Sequence, residues 1–279
     1  MKLVTIRCED KTCVGVLNPE KQSILIDQSE KRSMMDLIQL DAWQPKPNES
    51  KEVPIEQVEF LPPITNMEKV ICIGANYADH AREMGGEPPS LPVVFSKFAS
   101  AITAHQSEVK LPELSAEVDF EAELVVVIGK RGRHISAEES LNHVFGYCCG
   151  NDISARDWQR GKPGGQWLLG KTFDTFAPIG PAIVTKDEIP HPENLSIQLR
   201  LNGDVMQDSN TEHLIFTLEF LISHISKFVT LMPGDLIFTG TPPGVGAGRK
   251  PPLFLKAGDK LEVEIEGLGV LQNSVVADS

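Results

Sequence analysis

The sequence has little positive charge and few aromatic residues for its length. Its 279 residues include 26 Lys and Arg against 39 Asp and Glu, a formal net charge of −13, and aromatic residues make up 6%. Nucleic acids and anionic membranes are bound through clustered Lys and Arg, so this deficit argues against both as partners. No run approaches the ~20 apolar residues of a membrane-spanning helix. The composition therefore predicts a soluble globular protein.

The cysteines show no metal-binding or disulfide pattern. Their number is odd and no two have the CxxC spacing of a zinc site, so we interpret all of them as free thiols in a reducing compartment. The first residues, "MKLVTIRCED", contain neither a long apolar stretch nor an Arg- and Ser-rich one. We expect a cytoplasmic protein, or a mitochondrial matrix protein if a transit peptide has been removed. The five cysteines are Cys8, Cys13, Cys72, Cys148 and Cys149.

The first 60 residues differ in pattern from the rest. Short strand-like runs alternate with turns and end in a helical pattern, "SMMDLIQLDAW". The polar, Pro-containing segment "QPKPNESKEVPIEQ" follows and has the composition of a linker. Strand and helix patterns become denser from about Asn66. We therefore predict a small N-terminal β-rich lobe with its linker over residues 1–60 and a second domain over residues 66–279.

Strand patterns outnumber helical ones in the second region. "KVICIGANY", "PVVFSKF", "ELVVVIG" and "FGYCCGNDIS" predict strands, and Asn202-Gly203 predicts a type I′ hairpin turn. Helices are predicted in "YADHAREMG", in "LIFTLEFLISHISKFV" and in "SAEESLNHVF", which begins with a Ser136 to Glu139 capping box. Strands do not alternate with long helices, which excludes a doubly wound or TIM-barrel pattern. The sequence predicts a mixed, strand-rich α+β fold.

The stretch "VDFEAELVVVIGK" reads as a buried strand that carries two glutamates at its start. Residues two apart share a strand face, so Glu121 and Glu123 would lie side by side, where like charges repel and burial is costly. A cation between them would remove that cost, and Asp152, at the end of another strand-like run, supplies a third carboxylate. Oxygen ligands suit Mg²⁺, Mn²⁺ or Ca²⁺ rather than zinc. Spacing leaves open the alternative of an exposed strand end with solvated glutamates.

Six segments in order give the chain a resemblance to the fumarylacetoacetate hydrolase family over residues 66–279. "FSKFAS" and "ARDWQ…GGQWLLGKTFDTF" are similar to the subgroup of fumarylacetoacetate hydrolase domain-containing protein 2. The resemblance implies a catalytic domain with a mixed β-sheet or β-roll core, commonly a homodimer, in which Glu121, Glu123 and Asp152 bind Mg²⁺ or Mn²⁺. A further upstream acidic ligand of the classical hydrolase has no clear match here. The six segments are "ICIGANYADHAREMG", "DFEAELVVVIGK", "NDISARDWQ", "GKTFDTFAPIGP", "LRLNGDVMQDSNT" and "GDLIFTGTPPGVG".

His80 and Glu83 lie three residues apart in "YADHAREMG" and so share a helix face. A carboxylate that orients an imidazole and raises its basicity makes a general base, and an exposed surface pair is the alternative. The resemblance implies that this pair lies on a lid that closes over the metal and excludes water when substrate is bound. Gly85 and Gly86 would then serve as the hinge of the lid.

Two lysines stand in apolar stretches. Lys171 either reaches outward to solvent or is held over a charged ligand, and the resemblance implies that it faces the metal-bound substrate. A depressed pKa of Lys171 would allow proton transfer, and a normal pKa would stabilise an enolate. Lys97 either lines the site as a substrate-binding residue or only covers the sheet edge.

Three further residues are implied in substrate binding. Arg156 and Gln159 follow Asp152 by four and seven residues, on one helical face, and the resemblance implies that they contact the distal polar end of the substrate. An arginine there suits a carboxylate, whereas pairing with Asp157 or another acidic residue is the alternative. The loop "TGTPPGVGAG" lacks the GK[ST] of a P-loop. Its N–H groups and the Thr241 hydroxyl suit a small anion, and the resemblance assigns Thr241 to the α-carboxylate of the substrate.

The implied chemistry is that of a 2-oxo acid chelated by a divalent metal, which stabilises the enolate. Members of the family catalyse tautomerisation, decarboxylation or C–C bond hydrolysis at such a site. The subgroup favours an oxaloacetate enol–keto tautomerase, in which Lys171 or the His80–Glu83 pair carries the proton and Arg156 grips the distal carboxylate. The alternatives are a C–C bond hydrolase of acylpyruvase or fumarylacetoacetase type, an oxaloacetate decarboxylase, and a non-catalytic metal-binding module. An intact set of candidate catalytic residues argues against the last.

Overall fold

The computed structural model of the protein describes residues 1–27, 33–40 and 50–278. Strands predominate, because the chain consists largely of short apolar runs broken by Gly, Pro and Asn turns. The strands are β1 (Lys2–Cys8), β2 (Lys11–Asn18), β3 (Ser23–Asp27), β4 (Ser50–Pro54), β5 (Glu59–Leu61), β6 (Val70–Gly74), β7 (Val93–Lys97), β8 (Ile102–Thr103), β9 (Glu108–Leu111), β10 (Val118–Asp119), β11 (Ala122–Ile128), β12 (Val144–Asn151), β13 (Ser154–Ala155), β14 (Ala177–Thr185), β15 (Ser196–Leu201), β16 (Asp204–Asn210), β17 (Leu236–Phe238), β18 (Lys260–Ile265) and β19 (Gly269–Ala277). The described helices are short: α1 (Met34–Leu40), α2 (Ala78–Glu83), α3 (Arg156–Gln159), α4 (Trp167–Lys171) and α5 (Leu218–Ser226). The predicted strand-rich α+β class is confirmed.

The strands form one long sheet and two smaller ones. The long sheet runs in the order β4-β3-β2-β1-β14-β12-β11-β17-β6-β7, with β5 paired to β1 and β8 to β14. A second sheet has the order β16-β15-β18-β19-β9, and β10 pairs with β13. Most neighbours are antiparallel, while β17 and β6 run parallel. The centre of the long sheet is buried on both faces, since every residue of β11, β12 and β14 is buried.

The N-terminal strands belong to the long sheet. Lys2 and Leu3 of β1 pair with Val184 and Ile183 of β14, and the next residues of β1 pair with β5. Residues 50–54 of the segment with linker composition form β4 on β3, and residues 55–57 form a 3₁₀ turn. Residues 41–49, which hold the end of the predicted helix and the start of that segment, lie outside the described residues. The division into a lobe and a second domain stays a prediction.

Several local predictions are confirmed. The hairpin of β15 and β16 turns at Asn202 and Gly203, whose φ angles of 56° and 90° are those of a type I′ turn. Helix α5 begins after Thr217, whose side chain accepts a hydrogen bond from the Phe220 N–H. Helix α2 ends before Gly85, which has a φ of 79°. Among the described helices, none combines the length and apolar character needed to span a membrane.

The helix predicted in "SAEESLNHVF" is wrong. This segment forms turns and a 3₁₀ helix, Ser140–His143, and its last two residues already belong to β12. The Ser140 hydroxyl donates to the Ala137 carbonyl at 2.6 Å. Local serine bonds of this kind compete with helix formation. Val144 already pairs with Ile128 of β11, so the segment changes from helical turns to strand at that residue.

Candidate metal centre and active site

The three predicted carboxylates meet where β11 begins and β12 ends. Antiparallel pairing sets Ala122 opposite Asn151, so Glu121, just before β11, lies beside Asp152, just after β12. The Asp152 N–H donates to the Glu121 carbonyl at 2.9 Å. One oxygen from each of Glu121, Glu123 and Asp152 lies within 4.8 Å of the others. All three side chains are buried, so the alternative of solvated glutamates is wrong.

Two buried lysines neutralise the negative charge of this cluster. Lys171, the last residue of α4, places its Nζ 2.8 Å from Glu121 Oε2 and 2.8 Å from Asp152 Oδ2. Lys97, the last residue of β7, places its Nζ 2.6 Å from Asp152 Oδ1. The Lys97 ammonium also donates to the carbonyls of Ile153, Lys171 and Phe176. Both ammonium groups are buried, with Lys171 against two carboxylates and Lys97 against one.

Arg156 is paired with two acidic residues of the chain. Its Nε donates to Asp119 Oδ2 at 2.9 Å, and its Nη2 lies 2.8 Å from the same oxygen and 2.7 Å from Glu121 Oε1. Its Nη1 donates to Gln159 Oε1 at 3.0 Å. The guanidinium therefore orients the Glu121 carboxylate and Gln159. This arrangement matches the alternative in which the arginine pairs with acidic residues of the chain.

Asp119 was missed by the sequence analysis, although it orders both Arg156 and the Gly/Pro loop. Its carboxylate accepts the N–H groups of Gly246 at 2.7 Å and Ala247 at 3.0 Å, in addition to the Arg156 bond. The signal was present in the sequence, because residues 119, 121 and 123 continue one two-residue period of acidic side chains. Gln207 was also missed. Its side chain accepts from the Ala122 N–H at 2.9 Å and donates to the Thr241 hydroxyl at 2.8 Å.

The acid–base states of the cluster follow from burial and from these ion pairs. Burial, Asp152 and Glu121 together raise the pKa of Glu123 well above its ordinary value. Burial also acts on Glu121, but Lys171 and Arg156 outweigh it and lower the pKa of that carboxyl. Burial opposes the charged form of Lys171, yet Asp152 and Glu121 outweigh it and raise the lysine pKa. Burial lowers the pKa of Lys97 in spite of Asp152.

The carboxylate cluster fits a hard divalent cation. Ligands on opposite sides of Mg²⁺ lie about 4.2 Å apart, given Mg–O distances of about 2.1 Å. The separation of up to 4.8 Å between the three oxygens is close to that value. The donors are all oxygen, as Mg²⁺ and Mn²⁺ prefer. Asp152 Oδ1 is buried, and the Lys97 ammonium is 2.6 Å from it. Glu123, which is disfavoured as an anion beside two other carboxylates, would be stabilised in that form by a cation.

The predicted acid–base pair lies on α2. His80 Nδ1 is 3.4 Å from Glu83 Oε2, and the imidazole is buried. Glu83 also accepts the Gly244 N–H, at 3.0 and 3.1 Å from its two oxygens. Gly244 has a φ of 108°, and a Cβ there would lie 2.2 Å from the Met206 carbonyl oxygen. The pair is thus brought together and tied to the loop that carries Thr241.

One cavity of about 440 Å³ joins most of the predicted site residues. Within the described chain, the lining residues do not include Lys97, Glu83 or Asp152. Asp152 contacts the lining residue Lys171, and Glu83 contacts the lining residue His80. A larger cavity of about 850 Å³ lies beside β1 and β2, but it contains no comparable group of buried charges among the described residues. The predicted residues that line the smaller cavity are His80, Glu121, Glu123, Arg156, Gln159, Lys171 and Thr241.

Comparison with known proteins places these residues in a family context. The profile described as "Fumarylacetoacetate (FAA) hydrolase C-terminal" matches residues 69–276. A protein of Bos taurus named "Oxaloacetate tautomerase FAHD2A, mitochondrial" is 57% identical over 224 residues, which cover 80% of this chain and 71% of that protein. The human protein of the same name is 55% identical, with the same coverage of each chain. The solved fumarylacetoacetate hydrolase from Exiguobacterium antarcticum is 33% identical with a TM-score of 0.89, and each chain is covered completely.

Proposed function

The chain belongs to the fumarylacetoacetate hydrolase family, and we propose that it is a divalent-metal-dependent tautomerase that interconverts the enol and keto forms of oxaloacetate. The observation that carries the proposal is the buried carboxylate cluster at the wall of a cavity that His80 and Lys171 also line. The names of the bovine and human relatives favour tautomerisation over C–C bond hydrolysis, decarboxylation and a non-catalytic role.

Glu121, Glu123 and Asp152 are the residues that would hold Mg²⁺ or Mn²⁺. The bound cation would supply Lewis-acid stabilisation of the negative charge that develops on a 2-oxo acid. Arg156 and Lys171 fix the orientation of the Glu121 carboxylate, and Lys97 and Lys171 fix that of Asp152. Such positioning groups keep ligand oxygens aimed at one point.

The proton carrier is the His80–Glu83 pair. Tautomerisation needs a group that removes a proton from the enol oxygen or from C3 and returns it to the other position. The Lys171 ammonium lies between two carboxylates and donates to both, so it is held in the protonated form and acts as a fixed positive charge. His80 has one ring nitrogen beside Glu83, which leaves the other ring nitrogen for the substrate.

Thr241 and Gln159 are the substrate-binding residues that the cavity supports. The Thr241 oxygen accepts the Gln207 N–H, so its own O–H is free to donate to a substrate carboxylate. Gln159 lines the cavity, and its side-chain oxygen accepts a hydrogen bond from Arg156. The NH₂ group of Gln159 therefore points away from that guanidinium. We assign Lys97 and Arg156 to positioning the carboxylates, because their donors already bind protein oxygens.

The test is an ultraviolet assay of enol-oxaloacetate decay, with separate detection of pyruvate. We expect Mg²⁺-dependent decay without pyruvate, lost on addition of chelator. Glu123→Ala should lower the rate by more than about a hundredfold, since loss even of a residue that supports a metal ligand costs about 10–100-fold. Glu113→Ala, which removes an exposed carboxylate at a distance from the cavity, is the matched control and should leave the rate unchanged. Decay with stoichiometric pyruvate would identify a decarboxylase, and metal-independent or absent decay would refute the proposal.

We also propose that the protein is a homodimer. Large apolar side chains are exposed along the edge strand β7 and just after the end of α5, including Val94 at 48% and Phe228 at 70%. Both line one groove of the surface, and exposed apolar patches and sheet edges of this kind mark association sites. Light scattering should give twice the chain mass of 30.6 kDa, and a monomer would contradict the proposal.

The mitochondrial names of the relatives support the matrix as the compartment.

A further inference from the structure

A substrate with a carboxylate at each end needs a cation for its distal end, and the buried cations of the site are already engaged. Arg156 directs Nε and Nη2 at Asp119 and Glu121, and Nη1 at Gln159. Lys171 lies between Glu121 and Asp152. Moving either cation to a substrate would leave buried carboxylates without their partners, which is costly. The distal carboxylate therefore requires another group.

Arg160 is a cation of the cavity wall without such an engagement. It follows the last residue of α3, and its N–H donates to the Arg156 carbonyl at 3.0 Å. Its side chain lines the cavity together with Gln159 and Trp167, at the exposed side of the site. Within the described residues, its guanidinium makes no ion pair and no hydrogen bond. Partial burial, together with the like charge of Arg156, lowers the pKa of Arg160, and an incoming anion would favour its charged form.

We propose that Arg160 recognises the distal carboxylate of the substrate and so selects dicarboxylic over monocarboxylic 2-oxo acids. The inference rests on the proposed function for the placement of the 2-oxo-acid end at the carboxylate cluster. A free guanidinium offers a planar pair of N–H donors that matches a carboxylate. Glu87, also exposed and on the cavity wall, carries the opposite charge and disfavours anions on its side. This asymmetry directs the distal carboxylate towards Arg160.

Calorimetric titration with malate and with lactate, in the presence of Mg²⁺, tests the assignment. The two ligands share an α-hydroxy-acid end and differ in the distal carboxylate, and neither is turned over by a tautomerase. We expect wild type to bind malate about tenfold or more tightly than lactate, the size of a hydrogen-bonded charge pair. Arg160→Gln should remove this preference by weakening malate alone, and Arg160→Lys should retain part of it. Arg133→Gln makes the same charge change at an exposed turn and should leave both affinities unchanged.

A malate preference that survives in Arg160→Gln would overturn the assignment, as would a wild type that binds the two ligands equally or binds neither. The steady-state parameters on enol-oxaloacetate form the second measurement. Arg160→Gln should raise KM with kcat within about twofold of wild type, because the distal carboxylate is bound equally before and during proton transfer. A protein that prefers malate through Arg160 but does not tautomerise oxaloacetate would refute the proposed function and leave this inference standing.

Discussion

Ion pairs of the N-terminal strands and those of the candidate metal centre differ in their exposure to water. Near the N-terminal edge, Arg7 pairs with Glu59 at 2.7 Å and Lys51 with Glu9 at 2.9 Å, and all four side chains are 46% exposed or more. Around the candidate metal centre the pairs are equally short, but the side chains are at most 6% exposed. The same contact distance therefore describes two different energetic situations.

The difference lies in what each charge loses when its partner is removed. An exposed charge returns to water, so the pair contributes about 0–1 kcal/mol. A buried charge has no water to return to, and removal of its partner costs about 3–5 kcal/mol. The N-terminal pairs can therefore vary at little cost, whereas those of the site act as one unit in which each charge depends on the others.

The largest effect is expected for Lys97→Met. This substitution leaves Asp152 and three backbone carbonyls without their shared donor, so we expect a loss of about 3–5 kcal/mol in the free energy of unfolding. Urea denaturation in the presence of chelator measures it without a contribution from bound metal. A loss below about 1 kcal/mol would mean that burial does not separate the two classes of pair.

His105 provides an intermediate case, a titratable group buried without a charged partner among the residues that the structure describes. It packs edge-on against Phe60 at 4.9 Å and accepts the Gln272 N–H at 3.1 Å through Nδ1, and burial lowers its pKa to about 4. Between pH 6.5 and 4 the unfolded chain binds a proton at this residue and the folded protein does not, so stability falls as the pH falls. The contribution is at most about 3 kcal/mol. His105→Gln should show a shallower loss of stability over this range, and parallel curves for the two proteins would contradict the prediction.

The smallest effect is expected for Lys51→Met. Its ammonium and the Glu9 carboxylate are both exposed, and their mutual attraction raises the pKa of the lysine and lowers that of the glutamate without burial. The free energy of unfolding should not change measurably, and any change should be smaller still in high salt. A change comparable to that of Lys97→Met would remove the distinction between the exposed and the buried ion pairs.

The residues around the carboxylate cluster show how far sequence reasoning reaches. Period-two spacing predicted that Glu121 and Glu123 are neighbours, and the strand-like run before Asp152 predicted a third ligand position, because both features are local. The partners of Arg156 were not predicted, since Asp119 is 37 residues away and meets it only through the pairing of β10 with β13. The position of Lys97 beside Asp152 likewise depends on the order of β7, β6, β17 and β11 in the sheet.

Local signals also failed where a strand competed with a helix. The Ser136 to Glu139 spacing is that of a capping box, yet Ser140–His143 form a 3₁₀ helix and β12 begins at Val144. The hairpin at Asn202-Gly203 was predictable because two φ-positive residues suffice to define it. Features that neighbouring residues determine could therefore be predicted from the sequence. Features that depend on competition between elements could not.

The pairing of β1 with β14 sets a constraint on synthesis. The first strand leaves the ribosome early, but its partner at Ile183 and Val184 follows about 180 residues later. At roughly 5–20 residues per second this is a delay of about 10–40 s. During that time β1 can pair with β2 and β5, while Lys2 and Leu3 lack the partner that β14 later provides. The start of β1 is thus open to edge-to-edge pairing with other chains until β14 has been made.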